Sequence, residues 1–188
     1  MTEIKLFGEW SFEGIEVRDP GLKRYICLKP MYLPHSGGRH EKRRFKKSEV
    51  NIVERLINHL MRPGSSGGEK ARVTSVVRNA FKLIELKTGR NPIEVLVRAV
   101  ENAAPCEDVT CIAYGGVVYH LAVDISPQRR VDLALRHIAR GAREGAFNKR
   151  RTLEEALANE LILAAQRDPR SYAIRKRQEM ERIALASR

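Results

Sequence analysis

The stretch Asn91-Pro-Ile-Glu-Val-Leu-Val-Arg-Ala-Val-Glu-Asn102 is followed by Val109-Thr-Cys-Ile-Ala-Tyr-Gly-Gly-Val-Val-Tyr-His-Leu-Ala-Val123. In the first part, apolar residues recur at the spacing of one helix face, after an asparagine cap and a proline in the first turn. In the second part the period changes to two on either side of a Gly-Gly pair, which is typical of a β-hairpin. The two parts together predict a helix that leads into a hairpin arm at residues 107–124.

Helical periodicity continues on both sides of this stretch. Ser48 is a candidate N-cap for a first helix, and Thr152 opens a capping box with Glu155. The sequence therefore predicts an all-α domain of about six helices, with a protruding β-hairpin inserted between the third and the fourth. The helices are expected to begin near Ser48, Val73, Asn91, Ser126, Thr152 and Tyr172.

The composition describes a chain with one ordinary core. Its 188 residues suffice for one domain with tails, and 43% of them are hydrophobic. No apolar run approaches the roughly 20 residues that a membrane helix needs. The first ten residues include Glu3 and Glu9 and lack the apolar stretch of a signal peptide. We expect a soluble cytosolic protein without membrane association.

The three cysteines, Cys27, Cys106 and Cys111, are an odd number in a chain without a secretion signal, which argues against a disulfide framework. Cys106 and Cys111 do not form a C-x-x-C pair, and no histidine lies at zinc-ligand spacing from them. A buried thiol or an ordinary strand residue is therefore favoured over a metal site. We expect neither a metal nor another cofactor.

No group of residues has the spacing of a catalytic site. None of the five histidines pairs with a nearby Cys, Ser or carboxylate in a catalytic pattern. The loop at 64–70 departs from a P-loop, because Gly68 is followed by Glu69 and the preceding element is helical. We expect no catalytic residues and no enzymatic activity.

Positive charge is the most informative property of the composition. The chain has 35 Lys and Arg against 23 Asp and Glu, a net charge of +12. A folded domain tolerates such self-repulsion best when a polyanion neutralises it, and phosphate backbones are the usual polyanion. The alternative is a cationic surface that only keeps the protein soluble.

The cations concentrate in places that helix stability does not explain. Residues 35–47 contain the densest basic run without helical periodicity, which predicts an arm that a partner orders. Arg129 and Arg130 lie in a first helical turn, where cations oppose the helix dipole. The alternative is a solvated face with local ion pairs such as Arg140 with Glu144. The cations predicted to form one face for phosphates are Lys42, Arg43, Arg44, Lys46, Lys47, Lys70, Arg72, Arg129, Arg130, Arg136, Arg140, Arg143, Lys149, Arg150 and Arg151.

Structured RNA and duplex DNA are the two ligands that such a face allows. A short helix–loop–helix with basic residues fits a DNA-binding regulator. The glycine-rich connection at 62–68, however, is loose for a fixed recognition helix. We favour RNA binding, with residues 1–47 as an N-terminal extension that carries the basic arm. Residues 48–188 are then a helical RNA-binding domain.

These motifs, in this order, resemble the universal small-subunit ribosomal protein seven. The resemblance covers about residues 24–188. Its final stretch through Arg188 and the extension ahead of Ser48 resemble the archaeal and eukaryotic branch. The motifs that carry it are 91–102, the hairpin with Gly115-Gly116 and Tyr119, Val123-Asp-Ile-Ser-Pro-Gln-Arg-Arg130 and Leu133-Ala-Leu-Arg136.

The resemblance implies a structural protein of the cytoplasmic ribosome. It implies binding to the 3′ major domain of small-subunit ribosomal RNA, nucleation of head assembly, and a place near the exit-site tRNA and the mRNA exit channel. Small-subunit ribosomal protein eleven and other head proteins are the implied protein partners. By motif, the resemblance implies that Arg129, Arg130 and Arg136 face RNA. It also implies that the hairpin arm at 107–124 reaches towards the exit site.

Two segments differ from the family pattern. Gly68-Glu-Lys-Ala-Arg72 stands where the family often shows Gly-Lys followed by Lys or Arg, which would shift the backbone contacts there. The arm has Thr110-Cys-Ile-Ala-Tyr114 where arginines are common before the turn. The tip of the hairpin, formed by Tyr114, Gly115 and Gly116, is a predicted RNA-binding site. It is expected to pack against protein or to stack Tyr114 on a base.

Overall fold

The computed structural model describes residues 4–188, which form seven α-helices and one two-stranded antiparallel sheet. Apart from the four-residue α1, this confirms a six-helix domain with a hairpin between its third and fourth helices. The elements are α1 (Pro20–Lys23), α2 (Ile52–Leu60), α3 (Lys70–Thr88), α4 (Pro92–Ala103), β1 (Glu107–Tyr114), β2 (Val117–Asp124), α5 (Pro127–Ala146), α6 (Leu153–Ala165) and α7 (Tyr172–Ala186).

Helix α6 lies at the centre of the bundle and packs against α3, α4 and α5. Leu157 and Leu161 on this helix are fully buried, and each such side chain stabilises the fold by roughly 1.5–3 kcal/mol. Helices α2 and α7 both pack on α5. Helix α5 is therefore packed against other helices on several sides. Its remaining surface exposes Arg129, Arg136 and Arg140, which are among the predicted RNA-binding residues.

The helix starts follow local capping chemistry. Asn91 Oδ1 accepts a hydrogen bond from Ile93 N at 3.0 Å, and Pro92 occupies the first turn of α4. Thr152 Oγ1 accepts one from Glu155 N at 3.3 Å at the start of α6. These side chains satisfy backbone donors that have no partner within the helix, so both predicted starts are confirmed.

The predicted N-cap at Ser48 is wrong. Ser48 lies in a 3₁₀ turn (Lys46–Glu49), and Asn51 caps α2 by accepting a hydrogen bond from Val53 N at 2.9 Å. The reason is tertiary, because Asn51 forms a parallel bridge with Cys27 and Ile52 N donates to Cys27 O at 3.0 Å. This pairing keeps the backbone extended past the predicted cap.

Part of the N-terminal extension belongs to the same core as the helices. Leu6, Trp10 and Leu22 are buried in it. The Trp10 ring packs edge-on against Phe81 of α3 with the centroids 5.7 Å apart, and its Nε1 donates to Glu85 at 2.9 Å. The division of the chain at residue 47 stays a prediction, and residues 1–3 lie outside the described part.

The hairpin projects from the bundle, since residues 111–121 are all exposed. Tyr114 pairs with Val117 across a two-residue turn, in which Gly115 and Gly116 have φ values of 58° and 82°. Glycine adopts both of these positive angles without strain, which fits the Gly-Gly pair at the turn. At the base of the arm, Glu107 pairs with Arg188 and Asp108 pairs with Arg129 at 3.3 Å.

Gly141 lies where α5 meets α6 and α7, and we expect alanine at this position to destabilise the fold. A Cβ atom there would stand 2.7 Å from Tyr172 Cβ and 3.0 Å from Glu160 Cδ. The Glu160 carboxylate is held in place, because it accepts hydrogen bonds from Ser171 Oγ (2.7 Å) and Ala173 N (2.9 Å). Gly141→Ala should therefore lower the free energy of unfolding by about 1–3 kcal/mol, the usual cost of overpacking.

Gly145, one turn further along α5, is the matched control. A Cβ atom there would lie 3.5 Å from Ala156 Cβ, an ordinary contact. Gly145→Ala should raise the free energy of unfolding by up to about 1 kcal/mol, because alanine is the better helix former. Urea unfolding measures both variants. Equal stabilisation by the two would contradict the close packing of α5 on α7.

Candidate nucleic-acid interface

Residues 39–47, here called the basic arm, lie against α5. They form two 3₁₀ turns, Arg39–Lys42 and Lys46–Glu49, with the second reaching beyond the arm. Lys47 of the arm pairs with Asp132 of α5, and Arg55 of α2 pairs with the same carboxylate at 2.7 Å. One carboxylate thus joins the arm to α2 and α5 of the bundle in the structure.

The first cleft, called the inner cleft, lies between the basic arm and the start of α5. Its lining includes Arg44 and Lys47 from the arm and Arg129 and Arg136 from α5. These four cations are far apart in the sequence, and the fold brings them to one surface. Of the four, Arg44 and Arg136 have no side-chain ion pair or hydrogen bond within residues 4–188, so their charges are available to a ligand.

The second cleft, called the outer cleft, lies on the other side of the basic arm. Arg43, Arg44 and Lys46 line it together with Arg24, which ends α1. Phe45 lines both clefts. Sequence reasoning missed Arg24, whose signal is a Lys-Arg pair at a helix end. It also missed Phe45, the one Phe, Tyr or Trp residue within the run 39–47.

The predicted cations divide into two groups by their partners in the fold. The unpaired group has no side-chain ion pair or hydrogen bond within the described part of the chain, and its Arg44 only contacts the Phe45 ring. This group consists of Lys42, Arg43, Arg44, Lys46, Arg136, Lys149, Arg150 and Arg151. The paired group contacts carboxylates or backbone carbonyls and consists of Lys47, Lys70, Arg72, Arg129, Arg130, Arg140 and Arg143.

Arg143 and Arg130 are the clearest examples of cations that stabilise the fold, because both donate hydrogen bonds to backbone carbonyls. Arg143 Nε donates to Leu60 O at 3.0 Å, and the same guanidinium contacts Ser65 and Ser66. Burial lowers the pKa of the Arg143 guanidinium from its ordinary value. Arg130 Nε donates to Pro105 O at 3.1 Å. Arg143 therefore supports the end of α2 and the following loop, and Arg130 supports the base of the hairpin.

Lys70 also contacts the protein itself, since it forms an ion pair with a buried carboxylate. Its Nζ lies 2.7 Å from Oε1 of Glu54, a buried carboxylate that also accepts hydrogen bonds from Ser36 N and Oγ. Burial by itself would raise the pKa of Glu54, but the hydrogen bonds from Lys70 and Ser36 lower it overall. The pair fixes the start of α3 and the segment before the basic arm to α2.

Many of the predicted residues line neither cleft, namely Lys42, Lys70, Arg72, Arg130, Arg140, Arg143, the loop residues 149–151 and the hairpin tip 114–116. Lys149, Arg150 and Arg151 are exposed in the loop between α5 and α6, and Tyr114 is 80% exposed at the hairpin tip. The tip itself carries no cation. These residues stay predicted RNA contacts, as do all members of the predicted set.

His59 of α2 lies close to the inner cleft and should make stability depend on pH. Burial lowers its pKa to about 4, with Arg55, Arg136 and Arg62 lowering it further and Asp132 opposing them. His59 therefore takes up a proton near pH 6.5 in the unfolded chain, but only near pH 4 in the folded chain. Stability is full above pH 6.5 and falls as the pH approaches 4. We expect a loss of roughly 1–2 kcal/mol between pH 7.5 and 5.

Urea unfolding at pH 7.5, 6.5, 5.5 and 5 measures this dependence. His59→Gln should remove most of it. His137→Gln should remove part, because burial also lowers the pKa of His137. The lowered pKa values of Glu54 and Asp132 also reduce stability on acidification, but they act mainly below pH 5 and add little within this window. An unchanged slope in His59→Gln would contradict the assignment.

Two properties of residues 4–188 relate to the metal and membrane expectations from sequence. No three His, Cys, Asp or Glu residues there are grouped so that they could hold a metal ion. The described helices include none with the length and apolar character to cross a membrane. Cys111 is an exposed strand residue with its Sγ 3.1 Å from His120 Nδ1, and Cys106 is exposed just before β1.

A helical bundle with a fixed basic arm, unpaired cations along two clefts and a projecting hairpin has the features of a nucleic-acid-binding protein. The family model described as Ribosomal protein S7p/S5e matches residues 22–188. The chain belongs to this family. It is accordingly a small-subunit ribosomal protein that binds ribosomal RNA, in a family of structural proteins rather than enzymes. The resemblance seen in the sequence is confirmed at the level of the family.

Proposed function

We propose that this protein binds the 3′ major domain of small-subunit ribosomal RNA and nucleates assembly of the head. The observation that carries the proposal is the set of unpaired cations on both sides of the basic arm. Because the fold does not use these charges, they are free to neutralise phosphates. Affinity then comes mainly from the phosphates and specificity from RNA shape.

The inner cleft supports the orientation implied by the family motif. Arg136 offers an unpaired charge there, and Arg129 has a weak exposed pair that RNA phosphate can replace. Arg130, in contrast, acts by holding the hairpin base. We therefore propose that Arg129 and Arg136 contact RNA directly. Arg130 contributes indirectly, by positioning the β-hairpin.

The hairpin supports a contact with protein. Its cross-strand pairs place six exposed apolar side chains on one face, and a face of this kind fits a largely apolar protein surface. We propose that it meets small-subunit ribosomal protein eleven or another head protein, close to the exit-site tRNA and the mRNA exit channel. The six side chains are Ile112, Tyr114, Val117, Tyr119, Leu121 and Val123.

We also propose that the chain is of the archaeal and eukaryotic type and has no catalytic activity. In this proposal residues 1–47 are an N-terminal extension that carries the basic arm, and residues 48–188 are the helical RNA-binding domain. The basic arm, which the extension supplies, provides most of the unpaired charge near α5. This supports a direct part for the extension in RNA binding.

The test is binding of the protein to a transcript of the 3′ major domain and to duplex DNA of equal length, over a salt series. We expect a preference for the transcript that survives added salt. Equal binding to both ligands, lost together as salt rises, would contradict the proposal. A preference for the duplex would favour the alternative, a DNA-binding regulator.

A further inference from the structure

Phe45 occupies an unusual place on the protein surface. Its ring is 57% exposed and lies between the inner and outer clefts. The guanidinium carbon of Arg44 lies 5.0 Å from the ring centroid. Aromatic side chains stabilise a fold by burial, so core packing does not account for this ring.

The backbone at Phe45 is strained as well. Its φ is 64°, in the left-handed region that residues with a Cβ atom rarely adopt. Phe7 also has a positive φ, of 54°, but its ring is only 8% exposed and packs edge-on against Trp10. Burial compensates the strain at Phe7. At Phe45, which is 57% exposed, no comparable burial compensates the strain.

The ring is presented from a fixed element. Phe45 O accepts a hydrogen bond from Ser48 N at 3.0 Å, and Arg43 O accepts one from Lys46 N at 3.2 Å. Lys47, two residues further on, is anchored to Asp132 of α5. A side chain on such a fixed turn loses little conformational freedom when it binds a ligand.

Unpaired cations flank the ring on both sides. Arg24, Arg43 and Lys46 line the outer cleft, and Arg136 lines the inner cleft. An aromatic face between cations matches the chemistry of an unpaired nucleotide, whose base stacks while the neighbouring phosphates meet positive charge. A base inside a duplex has no free face to offer.

We infer that Phe45 stacks on an unpaired base of the bound RNA, a role that rests on the proposed binding to the 3′ major domain. The Arg44 guanidinium, 5.0 Å from the ring centroid, is the cationic partner that the protein itself supplies to the ring. The base enters between the two clefts, and its flanking phosphates lie along the cations of each. Phe45 thereby selects loops or bulges over regular helix.

The experiment compares Phe45→Leu with wild type on the 3′ major domain transcript and on a fully paired RNA duplex of equal length. Leucine keeps the apolar bulk and removes the aromatic face. Affinity for the transcript should fall by about 5- to 100-fold, the value of stacking on one base. The slope of affinity against salt should not change, because no charge is lost. Binding to the duplex should stay as in wild type.

Tyr32→Leu is the matched control, since Tyr32 is another exposed aromatic residue and lines neither cleft. Phe45→Trp should bind nearly as wild type, and its new fluorescence should be quenched by the transcript. The only natural tryptophan, Trp10, is buried and should give a constant background. Phe45→Gly should be at least as stable to urea as wild type but bind the transcript as weakly as Phe45→Leu.

The outcomes separate the two proposals. If wild type does not prefer the transcript to duplex DNA, the proposed function fails. If wild type prefers the transcript and Phe45→Leu binds it equally well, only the stacking role fails, and contact of Phe45 with another protein replaces it. An equal loss on transcript and duplex, or a clear loss of stability in Phe45→Gly, would also overturn the stacking role.

Discussion

Asp132→Ala is expected to lower the free energy of unfolding by about 3–5 kcal/mol, the cost of removing one partner from a buried ion pair. Arg55 is only 5% exposed at its side chain, and Asp132 is its one carboxylate partner within residues 4–188. The guanidinium keeps a hydrogen bond to Tyr25 O at 2.9 Å but loses its compensating charge. Urea unfolding at pH 7.5 measures the change.

Lys47→Ala is the control, because it removes the exposed partner of the same carboxylate. A pair at that exposure contributes less than about 1 kcal/mol. Both variants should free the basic arm, so trypsin should cleave within 39–47 faster than in wild type. A small stability change in Asp132→Ala would contradict a buried charge network at the junction of α2 and α5.

The triple change Arg43→Ala, Arg44→Ala and Lys46→Ala is expected to weaken binding to the 3′ major domain transcript by about 100- to 1000-fold near 0.1 M salt. Each phosphate contact contributes roughly one unit to the slope of log affinity against log salt, so the slope should become shallower by about 2–3. Stability should hardly change, because these side chains have no carboxylate partners in the described structure. Filter binding or fluorescence anisotropy over a salt series measures both quantities.

A second triple variant removes the same charge from arginines that pair with neighbouring carboxylates. Arg72 pairs with Glu69, Arg140 with Glu144 and Arg170 with Asp168. Changing these three arginines to alanine should weaken binding by less than about tenfold, since each carboxylate already offsets its arginine. Equal losses in the two triple variants would mean that only net charge matters, and not the position of the unpaired cations.

Sequence periodicity predicted most of the fold, because the local signals agree with the tertiary packing. The change of period after Asn102 and the Gly-Gly pair at 115–116 specify the hairpin through strand alternation and turn geometry, both short-range effects. Proline and asparagine at the start of α4 act within one helical turn. The misplaced cap at Ser48 shows the limit, since a bridge to Cys27 moved the start of α2 to Ile52.

The candidate surface was predicted in part. Sequence alone indicated the basic run at 35–47, the arginines of α5 and a polyanionic partner, because charge and helix position can be read locally. It also named the ion pair of Arg140 with Glu144 as a local alternative, and that pair is present. It gave no means of separating Arg136, which is unpaired, from Arg143, which is tied to Leu60 O.

What the sequence by itself determined is the helical domain with its hairpin, the excess of positive charge and the resemblance to a ribosomal family. Only the tertiary structure decided which cations are used internally, that Asp132 fixes the basic arm to α5, and that Phe45 stands exposed between two clefts. The physical reason is that hydrophobic period, caps and turns act over a few residues. Ion pairing and exposure depend instead on groups such as Lys47 and Asp132, which only folding brings together.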